Sequence, residues 1–150
     1  MNNEYLAPII NGPTLIVLSR PGMGDIIEEK LMSGKDGIVL RQLLKDSGIN
    51  PEECSYALWD HLPGPPYKPE LIIAMGNEAL KGLTKKSGIK KYRGQTLPLH
   101  EIYGFTCTVY PTYSVSDLRN VPTFRRTMIA DLRNTQQGES DLVKFTFWES

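Results

Sequence analysis

The sequence predicts an α/β domain, a three-layer sandwich around a central, mostly parallel sheet, and three observations carry that reading. Four short apolar runs, several of them rich in β-branched residues, are bounded by glycine, proline or asparagine, as strands are. Stretches with helical spacing alternate with them, which favours crossover connections and parallel pairing. The chain has 150 residues. A domain of that size buries roughly 68–70 % of the surface of its unfolded chain, enough for one core without disulfide staples. In such folds the loops after the strand C-termini gather the binding site.

Taken in order, residues 14–19 (Thr-Leu-Ile-Val-Leu-Ser) read as a buried strand after Gly12-Pro13. Proline and two glycines keep the following Arg20-Pro21-Gly22-Met23-Gly24 out of regular structure. Over residues 37–47, Leu40, Leu43 and Leu44 share one helical face, and Gly48 closes that helix. Residues 54–59 form a second strand, followed by the proline-rich loop 61–69, and residues 70–75 form a third. Asn77 is expected to cap a short helix through Leu83 by accepting an orphan N–H. Residues 105–110 make a fourth strand.

Over residues 121–134, Phe124, Met128 and Leu132 recur at i, i+4 and i+8, with Arg125, Arg126 and Arg133 on other faces, an amphipathic helix. The domain is therefore expected over residues 1–134, with a polar linker and apolar tail over 135–150. In that tail Val143, Phe145 and Phe147 alternate with Lys144, Thr146 and Trp148, a strand period that fits this protein's own sheet edge or a partner's. No internal repeat is present.

The longest apolar runs fall far short of the ~20 residues of a membrane span, and the start is unlike a signal peptide, so a cytoplasmic protein is expected. Cys54, Cys107, His61 and His100 are too few and too scattered for a zinc site, and both cysteines read as buried strand residues. No metal or cofactor is expected. Charge balances overall, 17 basic against 17 acidic side chains, but not locally. Residues 1–78 carry 6 basic and 11 acidic groups, and residues 79–135 carry 10 and 3. The basic middle attracts phosphates, which points to a nucleic acid as a partner. Lys85, Lys86, Lys90, Lys91 and Arg93 form an acid-free stretch within it.

Four segments line up in chain order: Ser19-Arg20-Pro21-Gly22; the helix start from Gly34 through Gly37 to Leu40; the strand-to-helix unit from Pro69 through Gly76 to Ala79; and Arg93-Gly94 followed by Tyr110-Pro111-Thr112-Tyr113. Together they resemble the uracil-DNA glycosylase superfamily, most closely its iron–sulfur branch and the related domains associated with phage DNA polymerases. The resemblance covers about residues 13–134. It implies a domain that extrudes a base from DNA into a pocket. Pro21 and Gly22 would then meet the DNA backbone, and the loop of Pro111, Thr112, Tyr113 and Ser114, with Arg119, would form a second clamp.

The departures from the family pattern bear on activity. Ser19 stands where the family has a glutamate, and Arg20 follows it; a guanidinium beside a developing sugar cation is unfavourable. Met32 replaces the aromatic residue that stacks on the base, Leu58 the base-reading asparagine, and Tyr110 the histidine of the second loop. Arg20, Met32 and Leu58 would border the base pocket. The cluster cysteines are missing, and a cluster needs four ligands. The resemblance thus implies a DNA-binding protein with a degenerate excision site. Its setting would be phage or viral DNA replication or repair, as an accessory or processivity-type subunit beside a polymerase or another replication protein. The alternatives are an active glycosylase for uracil or a modified base that uses Ser19, Asp25 or Tyr110, and a protein-binding inhibitor or adaptor.

Overall fold

The structure, a computed structural model, describes residues 6–149 and has the α/β three-layer architecture that the sequence predicts. Strands β1 (Thr14–Leu18), β2 (Cys54–Leu58), β3 (Leu71–Met75), β4 (Leu97–Pro98) and β5 (Thr108–Thr112) form one sheet in the order β2-β1-β3-β5-β4. The four longer strands run parallel, in a register that places Ile16 beside Tyr56 and Ile73, and Ile73 beside Tyr110. β4 pairs antiparallel with β5 at the edge.

Alternation along the strands sorts their side chains onto two faces. Ile16, Tyr56, Leu58, Ile73 and Met75 share one core with Leu40, Leu43 and Leu44 of α2 (Lys35–Asp46) and Met128 and Leu132 of α6 (Phe124–Glu149). Leu15, Val17, Ala57, Ile72, Ala74 and Val109 share the other with Ala79 and Leu83 of α3 (Asn77–Thr84). Because both faces are covered, the strands are apolar throughout rather than alternating, as parallel strands commonly are.

Several connections differ from the sequence reading. Residues expected to stay irregular after β1 form a short helix, α1 (Met23–Glu28), with Gly22 at its N-cap. Asn77 is the first residue of α3 and not its cap; that place belongs to Gly76. The fourth long strand lies further along than 105–110, so Tyr110-Pro111-Thr112 is strand and not loop. Pro111 is tolerated there because β4 pairs with β5 no further than Val109, leaving no ladder partner for the missing N–H on that side. Cys107 precedes the strand and is half-buried. Two helices not foreseen complete the set, α4 (Ile89–Tyr92) and α5 (Val115–Asn120), the latter closed by a capping box of Ser114 and Asp117.

The polar linker and apolar tail expected over 135–150, with its strand period over 143–148, are helical instead, since α6 continues through residue 149. Once a helix is anchored by Phe124, Met128 and Leu132, each further residue adds a backbone hydrogen bond for one fixed residue, and one glycine at 138 is not enough to stop it. Among the described residues no helix is long and apolar enough to cross a membrane. Because Leu132 is fully buried between α6 and the sheet, Leu132→Ala should lower unfolding free energy by about 2–5 kcal/mol in a urea titration, with the m-value unchanged.

Candidate functional site

β1 lies between β2 and β3, so the chain leaves it toward one side and later returns to pair on the other. This switch point opens a cleft at the C-terminal ends of β1 and β3. The cleft encloses about 980 Å³ and is walled by the loop after β1, the starts of α2 and α3, and α5 with its cap Ser114. Segments far apart in sequence therefore meet here: Ser19 to Gly22, Gly34 to Gly37, and Gly76 to Glu78.

Ser19 fastens the floor. Its hydroxyl donates to the Met75 carbonyl at 2.7 Å and accepts from the Ala79 N–H at 3.0 Å, tying the end of β1 to the first turn of α3. Gly76 makes this possible with φ of 96°, a conformation that favours glycine, and a Cβ there would lie 2.5 Å from the Ser19 oxygen.

Asp25 organises the opposite wall from within. It is buried, and its two oxygens accept the N–H groups of Met32 at 3.0 Å and Gly34 at 2.8 Å. These bonds hold the turn into α2, where Met32 sits at φ 67°, a costly value for a residue with a Cβ. Arg41 adds a bond to the Met32 carbonyl at 2.7 Å. Gly24 and Gly34 pack backbone to backbone; a Cβ on Gly24 would come 2.7 Å from the Gly34 Cα.

Two ion pairs cross the cleft walls. Arg20 meets Glu78 at 2.6 Å, joining the loop after β1 to α3, and Arg119 of α5 meets Asp36 of α2. Both are exposed to solvent, where such pairs are worth little. The lining holds three cations, Arg20, Lys35 and Arg119, against five carboxylates that include Glu28 and Asp117, so the cleft itself is not basic.

The basic stretch lies outside the cleft lining and is tied to it at one point. Asn77, which lines the cleft, accepts the Gly88 N–H at 2.7 Å and so fastens the loop after α3 to the start of that helix. Lys85, Lys86, Lys90 and Lys91 are exposed on this loop and on α4. Arg93 is not available with them. It forms a two-pronged pair with Asp131 of α6 at 2.6 and 2.9 Å, and Asp131 also accepts from Thr112 at 2.8 Å. This bonding raises the Arg93 pKa further above its ordinary value, so it is a fixed structural charge.

The remaining expected residues divide plainly. Pro21, Gly22 and Met32 line the cleft with Ser19, Arg20, Asp25, Ser114 and Arg119. Leu58 is fully buried in the core and is not part of the cleft lining. Tyr110 is half-buried within β5, on the face that carries α2 and α6, and lies outside the lining. Pro111, Thr112 and Tyr113 are buried, which corrects their expected place in a DNA clamp: Thr112 bonds Asp131, and Tyr113 stacks on Phe124 with ring centroids 3.9 Å apart. Side chains enclosed in this way present no surface to a phosphate.

His100 caps the turn Glu101–Tyr103 by accepting the Ile102 N–H. Burial pushes the Cys54 thiol up to about 11, leaving it protonated and a poor nucleophile at neutral pH. No group of three or more His, Cys, Asp or Glu side chains gathers as a metal site among the described residues.

Sequence reasoning missed Asp131, Asp36 and Glu78, each an ion-pair partner of an arginine it had singled out. No local pattern announces them, because their partners are 38 to 83 residues away. The role of Asp25 gives a direct test. Asp25→Asn turns one acceptor into a donor facing a backbone N–H, so stability should fall by about 1–3 kcal/mol. Hydrogen exchange at the Met32 and Gly34 amides should accelerate beyond that of the core strands. Comparison of the chain with protein-family models and with curated proteins gives no match to either.

Proposed function

We propose that this protein is a DNA-binding, uracil-DNA-glycosylase-like domain that does not excise bases, serving as an accessory subunit in phage or viral DNA replication or repair. The observation that carries the reading is the fate of the groups on which excision would depend. Ser19 and Asp25 line the cleft, but every side-chain oxygen they have bonds the backbone that shapes it. Tyr110 is outside it. Removing one well-placed electrostatic group costs roughly 10²–10³ in rate, and here the glutamate, asparagine and histidine of the family pattern are all replaced.

Further support for the family resemblance comes from the meeting of three of its four segments at one cleft, at the C-terminal edge of a parallel sheet; the fourth, Arg93-Gly94 with Tyr110 to Tyr113, lies outside the lining. Support for DNA as the partner comes from four exposed lysines clustered around Gly88, whose N–H is bonded to the cleft residue Asn77. On this reading Lys85, Lys86, Lys90 and Lys91 meet phosphates. Arg93 does not.

Charge reversal at Lys90 and Lys91 should weaken binding to a short duplex in fluorescence anisotropy. It should also reduce the log–log salt slope by about one for each phosphate no longer neutralised. The wild-type protein should leave uracil-containing and modified-base oligonucleotides without abasic sites. Robust excision abolished by Ser19→Ala or Tyr110→Phe would establish the enzymatic alternative instead.

A further inference from the structure

The mouth of the cleft has an apolar lip that the DNA-binding reading does not use. Met23 and Ile27 stand one turn apart on α1, and Ile38 faces the same cleft from α2. Their exposures are 73 %, 71 % and 66 %, so three large apolar side chains gather in water at one opening. Scattered exposed apolar residues are ordinary; a cluster at the edge of a cleft marks an interaction surface.

Charge decides what kind of partner fits. Among the cleft-lining groups, Arg20 is paired with Glu78 and Arg119 with Asp36. That leaves Lys35 against Asp25, Glu28 and Asp117, a net of −2. Glu28 is exposed, directly follows Ile27, and has no ion-pair partner among the described residues; exposed Glu29 comes next. A phosphate backbone is repelled by such a surface. An apolar segment flanked by lysine or arginine is attracted.

We infer that the lip of Met23, Ile27 and Ile38 docks a protein partner through an amphipathic segment, which seats apolar side chains in the cleft and sets basic residues beside Glu28 and Glu29. The inference extends the accessory-subunit reading: the cleft lip would hold a protein while the exposed lysines of the basic stretch hold DNA. It does not require the DNA contact, and the two are tested separately.

The test is selection of binders to the full-length protein from a displayed random dodecapeptide library. The expected result is enrichment of leucine, phenylalanine or tryptophan next to lysine or arginine. Affinity of the selected peptides should fall at least tenfold in Met23→Glu and Ile27→Glu, about the effect of truncating one hot-spot side chain. It should be unchanged in Ile102→Glu, which alters an equally exposed residue, at 70 %, outside the cleft. Because Met23, Ile27 and Ile102 all face solvent, the variants keep the fold, which circular dichroism checks.

Selected peptides with acidic flanks, peptides indifferent to Ile27→Glu, or no enrichment would overturn the inference. So would a Met23 methyl resonance that shifts with a short duplex but not with the peptides, which would make the lip a wedge for DNA. A dimer seen by light scattering and abolished by Ile27→Glu would overturn it too, assigning the lip to a second copy of the chain. The Lys90 and Lys91 reversal should leave peptide affinity intact, so failure of the DNA reading is distinguishable from failure of this one.

Discussion

Beyond the end of the β1–β3 ladder, the Ser19 hydroxyl holds the two chain segments together. Two parallel strands that leave a switch point in opposite directions have to be held together where their ladder ends, or the loops beyond them drift apart. Ser19 does this with one donated and one accepted bond, and Gly76 leaves it room. The cleft floor, the start of α3 and the place of Asn77 follow from that contact. Asn77 in turn holds Gly88 and with it the lysine loop.

The opposite wall is built on a second polar centre of the same kind. Asp25 is taken out of water, and a buried carboxylate is tolerable when backbone donors satisfy it. The turn it stabilises carries Met32 in a strained conformation and starts α2. A group that fixes geometry in this way cannot move without giving up the two backbone bonds that hold the turn. The cleft is thus shaped by Ser19 and Asp25, whose side-chain oxygens all bond the backbone around it. On the function proposed above, that is the expected condition of an excision site whose chemistry has been lost while its scaffold persists.

Charge in the molecule is segregated rather than absent. The zero net charge conceals an acidic first half and a basic middle, and the fold turns this sequence division into a spatial one. Carboxylates predominate in the cleft, and the exposed lysines of the basic stretch lie outside its lining. Several cations are nonetheless neutralised locally, Arg93 by Asp131 most completely, so a count of basic residues overstates the charge available to a ligand.

The sequence by itself determined the layer architecture, the places along the chain of the first three long strands, and the core faces of α2 and α6. These rest on hydrophobic period and breaker residues, which act within a few residues of one another. It also located the loops that wall the cleft, because Pro21, Gly22, Gly34 and Gly76 mark them. Tertiary structure decided which polar groups are free. Whether Arg93 meets a phosphate or Asp131, and whether Thr112 lies in a clamp or against α6, depends on partners far away in the chain. The fate of the C-terminal segment was decided in the same way: its alternating pattern suits a strand, but a strand needs a ladder partner, whereas a helix already anchored by Phe124, Met128 and Leu132 needs none.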